Sequence, residues 1–251
     1  GEVFAGFSDV NSWYNSMVIT LRRPMRHGVE FTANYTLSKA VDGAQVSGSG
    51  GTFNGTDYPI DPYNRKLEYA LSDLDQRHRF VANAVWMPSF RGISNRTARL
   101  IADGWALSTI VTMSTGQPVT PLLSGTPSPL DGGVTGGVSY AGATSGRAGW
   151  LPRNDFTAPG FHDVDFRVGR QFAFSERLKL SLIGEAFNLF NHTNVSGVNT
   201  TAFYYAAAGS GQCAGHVNAC FYPNATFMAP TSTSNLIWGP RQLQISGRLT
   251  F

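Results

Sequence analysis

The chain has 251 residues, of which 42% are hydrophobic and 12% aromatic, but only 14% are charged, with a formal net charge of +3. Soluble domains carry about 25% charged residues, so here Ser, Thr, Asn, Gln and Gly rather than ions bring the mean hydropathy to -0.13. No Lys/Arg run supports a nucleic-acid partner, and no apolar stretch reaches the ~18 residues of a transmembrane helix.

This balance suits a protein with one face in lipid and the other lining a hydrated lumen. The opening "GEVFAGFSDV" has no Met, no basic n-region and no apolar h-region. The expectation is therefore the C-terminal piece, residues 1–251, of something longer.

Seven segments alternate apolar and polar residues at period two, the signature of half-buried strands. The first, "NSMVITLRR", sets Met17, Ile19 and Leu21 against Ser16, Val18, Thr20 and Arg22. A break, "RPMRHG", carries Pro24 and Gly28, and "VEFTANYTLSK" follows, with Val29, Phe31, Ala33, Tyr35 and Leu37 on one face. This pair predicts a tight hairpin. After a polar stretch, 42–75, "RHRFVANAVWMP" sets Phe80, Ala82, Ala84 and Trp86 against Arg79, Val81, Asn83 and Val85. The break "SFRGISN" predicts a second short-turn hairpin into "DGWALSTIVTMSTGQPVT", where Trp105, Leu107, Val111 and Met113 share a face.

A Gly- and Pro-dense stretch, 117–160, leads to "HDVDFRVGRQFAF", with Val164, Phe166, Val168 and Phe172 opposite Asp163, Asp165, Arg167 and Gln171. The three-residue turn "SER" connects to "LKLSLIGEAFNLFN", and a third long stretch, 192–238, precedes "GPRQLQISGRLTF". There Leu243, Ile245, Gly247, Leu249 and Phe251 form the apolar face.

Short turns thus alternate with loops far longer than the ~15 residues that compact domains tolerate. Outer-membrane barrels have this asymmetry, with short periplasmic turns and long extracellular loops. The fold expected is all-β, an antiparallel transmembrane β-barrel segment that starts outside and ends in the periplasm. The runs match the roughly 9–11 residues of a tilted membrane strand, and the lipid-side positions are nearly free of charge. Trp13, Tyr14, Trp86, Phe90, Trp105, Phe172, Phe174 and Phe190 sit near strand ends, where interfacial girdles belong.

Cys213 and Cys220 lie in "CAGHVNAC", a Gly/Ala/Asn stretch without strand character. They are read as a disulfide of an oxidising compartment. Two free thiols are the alternative, and a metal site using His216 lacks a fourth ligand.

The blocks "DQRHRF" (Asp75 to Phe80) and "EAFNLFNHTN" (Glu185 to Asn194) carry a resemblance. Together with the other strand segments in the same order, they resemble the barrel of Oar-like TonB-dependent outer-membrane transporters of the acidobacterial type. The resemblance implies a barrel of about 22 strands, of which this chain forms the last seven. A plug, a Ton box and an N-terminal domain are absent from this chain, so it is not competent for energised uptake alone. The partners implied are the outer-membrane bilayer, the barrel-assembly machinery, the TonB complex through the missing part, and an unknown scarce ligand. Phe251 resembles the terminal aromatic read as an assembly signal.

No GxSxG, HExxH or phosphate loop occurs, so no catalytic residues, enzyme activity, metal site or cofactor is expected. Substrate-binding residues are not readable. His78 is expected to make a strand-end contact to Asp73 or Asp75, and His192 to enter a loop. Asp42, Asp57, Asp61, Glu68, Asp73 and Asp75 crowd the first long loop; oxygen-rich loops can hold calcium, but their spacing matches no EF-hand, so a solvated loop is expected, with a calcium site the alternative. Arg22, Glu30, Arg79, Asp165, Arg167, Lys179, Glu185 and Arg248 are inward charges of mixed sign, expected to satisfy one another across strands. Two other readings stand beside the transporter: a plug-less adhesin or structural barrel with surface-binding loops, and a soluble secreted β-sandwich.

Overall fold

The computed structural model describes residues 10–43, 64–90, 92, 95, 98, 101–124, 145–147, 150–175, 177–217, 220–233 and 239–251. In chain order the strands are β1 (Ser12–Arg26), β2 (Val29–Asp42), β3 (Ala70–Leu71), β4 (His78–Trp86), β5 (Trp105–Ser114), β6 (Pro118–Val119), β7 (Leu122–Ser124) and β8 (Ser145–Arg147). They continue with β9 (Phe156–Thr157), β10 (Phe161–Ala173), β11 (Lys179–Phe187), β12 (Gly197–Val198), β13 (Thr201–Ala206), β14 (Cys220–Pro223), β15 (Pro230–Ser232) and β16 (Gln242–Thr250).

The seven alternating segments form one sheet in the order β1-β2-β4-β5-β10-β11-β16, all antiparallel, with β3 added beside β2. Register keeps the predicted faces apart across the whole sheet. One row runs Val29, Trp86, Leu107, Val168, Gly184, Ile245. The neighbouring row runs Glu30, Val85, Ser108, Arg167, Glu185, Gln244. A one-residue slip at any ladder would mix these faces.

Among the described residues, the apolar face packs against no second layer. Leu243 is 76% exposed and Ile245 89%. The buried apolar residues Val119, Leu123, Ala202 and Cys213 instead belong to the long connections, with Ala186 the contribution of the sheet. An apolar sheet face without a protein cover requires a non-aqueous surrounding.

The first turn is tighter than its sequence suggested. The break "RPMRHG" is mostly strand: β1 continues through Pro24 to Arg26, with a register irregularity between Arg23 and Arg26. Proline fits there because Pro24 falls within that irregularity, outside the regular ladder with β2, where its missing N–H costs no bond to that strand. The turn itself is His27 (φ 53) and Gly28 (φ 78), two successive left-handed residues as a two-residue hairpin demands. A Cβ on Gly28 would stand 2.1 Å from the Met87 carbonyl oxygen, and that close approach lets the Met87 N–H donate to the Gly28 oxygen at 2.7 Å.

The connection between β4 and β5, expected as the second short turn, is not short. It spans 87–104, and its described part is folded: the Phe90 N–H donates to Asp103 Oδ1 at 2.9 Å, and Trp105 Nε1 donates to the Ile101 oxygen at 3.0 Å. Indole and carboxylate partners beyond "SFRGISN" keep the backbone groups satisfied there. The third turn is tight, with the Phe174 and Ser175 N–H groups both donating to the Leu178 oxygen.

The long connections contain structure that their Gly and Pro content concealed. The β5–β10 hairpin does not open at Ser114; it continues as the β6–β9 and β7–β8 pairs. β13 pairs parallel with β7 and antiparallel with β14, and β12 pairs with β15. Two- to six-residue strands are too short for a period to register.

Candidate functional site

All three long connections leave the same end of the sheet, and named side chains tie them into one cap. The first and second are joined through Arg153, which is 1% exposed. Its guanidinium forms an ion pair with the Asp42 carboxylate at the end of β2. It also donates to the Asp42 backbone oxygen at 3.2 Å and to the Glu68 oxygen at 3.3 Å, and it stands 3.6 Å from Asp73 Oδ1. A charge this deeply buried is rare unless paired.

Asn154 completes the latch from a left-handed backbone (φ 58), which asparagine tolerates better than most residues. Its Nδ2 donates to the Leu71 oxygen at 2.7 Å and to Asp73 Oδ1 at 2.6 Å, while Oδ1 accepts from Thr120 Oγ1 at 2.8 Å. The acidic residues of the first loop are therefore structural partners rather than a solvated group. Asp42 and Asp73 bind the latch, and Asp75 accepts the Ala40 N–H at 2.6 Å. Asp57 and Asp61 lie outside the described residues. Among the described residues no group of three His, Cys, Asp or Glu is arranged to hold a metal ion.

The second and third connections join through the parallel β7–β13 pairing and through rings. Trp150 packs edge-on to Phe203 with centroids 5.5 Å apart and lies 5.1 Å from Phe221; Phe156 meets Phe227 at 4.8 Å. Tyr204 and Tyr222 pair across β13 and β14 at 5.5 Å. Such ring pairs add about 0.5–1.5 kcal/mol each beyond area burial. Cys213 and Cys220 are bonded to each other, with Cα atoms 5.8 Å apart, and close the link from β13 to β14. The stretch is less irregular than its composition suggested. Cys213 ends a 3-10 turn, Gly211–Cys213, and Cys220 begins β14, because pairing with Ala206 gives it a strand partner.

The two blocks that carry the resemblance are the knots at the cap's base. In "DQRHRF", the Gln76 oxygen accepts from Ser38 Oγ at 2.6 Å and the Arg77 oxygen from the Ser38 N–H at 3.0 Å. His78 does not contact Asp73 or Asp75. Its Nδ1 is 2.8 Å from the Tyr35 hydroxyl, and the two rings stack. Cross-strand register places both side chains on the apolar face, whereas Asp75 turns back to the β2 backbone.

In "EAFNLFNHTN" the asparagines do the joining. Asn188 (φ 48) and Asn191 (φ 52) take left-handed turns. Asn188 brackets His192 through its N–H and its oxygen, at 2.8 and 2.9 Å, and donates to the Gly239 oxygen at 3.1 Å. Asn191 Oδ1 accepts the Arg241 N–H at 3.0 Å, and Asn194 pairs with both backbone groups of His162 at 2.9 Å. The exit of β11, the entry of β16 and the entry of β10 are thereby fixed together. His192 is a loop-entry residue whose ring meets that of His162 at 5.2 Å.

On the polar face, Arg167 and Glu185 form the expected cross-strand pair, with Nε and Oε1 3.7 Å apart. Phe251 follows β16 directly, with its side chain exposed. Arg153 and Asn154 were invisible to sequence reasoning, since "LPRNDF" reads as an ordinary turn. The repeated Asn of "FNLFNHTN" was the legible signal for the other knot.

A family model described as "Outer membrane beta barrel domain" matches residues 1–244. No curated protein and no solved structure matches the chain.

Proposed function

We propose that this chain, which belongs to the outer membrane beta barrel domain family, is the ligand-facing barrel wall of an Oar-like TonB-dependent transporter. It is a β-barrel protein of the outer membrane. Within the larger barrel it presents the cap to the outside, and energy for uptake of a scarce ligand reaches it from the TonB complex through a plug and Ton box carried elsewhere.

The observation that carries this reading is the cap. The described parts of three long loops are latched by a buried arginine and a parallel strand pair at one end of the sheet, and a disulfide closes a turn within the third. A pre-ordered surface lowers the ordering cost of binding, which favours capture of a dilute ligand. The sheet adds support: its long strands leave the outer edges of β1 and β16 unpaired among the described residues, and a membrane sheet must close on further strands. Phe251 fits the aromatic motif taken up by the barrel-assembly machinery.

A plug-less adhesin would use the same cap, and half-exposed Trp150 suits surface contact. Capture of the purified full-length protein on the isolated periplasmic domain of TonB separates the two. Retention, abolished by deleting a Ton box, is expected. Failure to bind TonB, with the intact cells still adhering through these loops, overturns the transporter reading.

A further inference from the structure

Beside the cap, on the apolar face of the sheet, lies a crevice of about 370 Å³. Its floor is one cross-strand row: Tyr35, Phe80, Met113 and His162 stand opposite one another on β2, β4, β5 and β10. His78 forms one polar lip, held by Tyr35 at 2.8 Å, and His162 forms the other, braced by the His192 ring. Ala158 belongs to the wall.

The wall exists because the β5–β10 hairpin pinches there. A Cβ on Gly116 would stand 1.8 Å from the Ala158 oxygen, and one on Gly160 would stand 2.7 Å from the Ser114 oxygen. The segments that follow β5 and precede β10 cross closely at these two glycines and continue as the β6–β9 pair. The row next to the crevice, away from the cap, is Ala33, Ala82, Val111 and Val164. Small and medium side chains on the same face extend the crevice into a shallow lane.

The geometry points to a binding site for one acyl chain of an outer-leaflet lipid. The crevice is continuous with the apolar band that faces the bilayer in an outer-membrane barrel, so its contents come from lipid rather than from the lumen. Its chemistry is graded in the matching sense. Phe80 and Met113 offer an apolar floor, and methionine adapts to irregular chain contours. The imidazoles and the Tyr35 hydroxyl lie at the cap end, where lipid headgroups begin and where amphipathic rings are favoured. The chain terminus would point down the alanine lane.

The test is native mass spectrometry of the purified full-length protein in detergent micelles, titrated with lipid A. A parallel titration uses the same glucosamine disaccharide bisphosphate stripped of its acyl chains. The wild type is expected to fill one saturable lipid A site and to ignore the stripped sugar. Met113→Trp, which fills the crevice, is expected to weaken that site at least tenfold, while Leu249→Trp, on the same face but away from the crevice, leaves it unchanged. Only the heat-modifiable folded form of each variant is compared. Ala82→Phe, which blocks the lane, serves where Met113→Trp does not fold. Equal binding by crevice and control variants, an unsaturable ladder of lipids, or equal binding of the stripped sugar would each overturn the assignment.

Discussion

Replacing Arg153 by methionine keeps much of the side chain's length and removes its charge. The Asp42 carboxylate, on a residue 5% exposed, then loses its ion-pair partner, and the oxygens of Asp42 and Glu68 lose a donor. Removing one partner of a buried pair typically costs about 3–5 kcal/mol. Asp73 adds little, because its side chain is one-quarter exposed and 3.6 Å away. The cost falls on the cap and spares the sheet, whose ladders do not involve Arg153. Local opening therefore becomes easier by roughly two to nearly four powers of ten, at about 1.4 kcal/mol for each. Amide hydrogen exchange of the full-length protein in lipid nanodiscs reads this directly. The Ser72 N–H, bonded to the Ala40 oxygen, and the Asn154 N–H, bonded to Thr120 Oγ1, should exchange at least a hundredfold faster, with β10 and β11 unchanged. Adding Asp42→Asn to Arg153→Met should recover much of the protection, since the stranded charge is gone. If Ser72 and Asn154 exchange less than tenfold faster, the latch is not what joins the loops.

Charge on the two faces of β16 should behave oppositely. Ile245→Arg places a guanidinium mid-strand on the lipid side and should cost about 2–4 kcal/mol, whereas Gln244→Arg faces Glu185 across the ladder and should cost under about 1 kcal/mol. Urea unfolding of the full-length barrel in vesicles compares them; equal effects would mean that the faces are assigned wrongly. Gly28→Ala combines a left-handed backbone with a 2.1 Å approach to Met87, so a loss of about 2–4 kcal/mol is expected in the same assay. A near-neutral result would show that the turn reshapes freely. Removing the disulfide with Cys213→Ala and Cys220→Ala frees a link of separation seven, worth about 2 kcal/mol in the chain-entropy picture. Surface protease on whole cells should cut between β13 and β14 faster in the variant, and an unchanged rate would leave the bond without mechanical importance.

The alternation of small and large, polar and apolar residues determined the sheet by itself. From "NSMVITLRR" to "QLQISGRLTF" the period of two assigns each side chain to a face, because successive strand residues point to opposite sides whatever their neighbours do. Strand length and near-absence of charge on one face then made the membrane setting legible. Where local signals were equivocal, context decided. Pro24 reads as a break, yet a register irregularity inside β1 accommodates it; "SFRGISN" reads as a tight turn, yet Asp103 and Trp105 hold a longer folded connection.

The cap depended on the tertiary structure. Arg153 meets Asp42 across 111 residues of sequence, β7 meets β13 in parallel, and His78 finds Tyr35 rather than the nearby aspartates. Contacts of that separation leave no local periodicity, since they are selected by which segments the sheet delivers to the same end. The sheet's register is a property of the chain residue by residue, whereas the latch, the aromatic contacts and the crevice beside the cap exist because seven strands of matched register bring distant, individually unremarkable side chains within reach of one another.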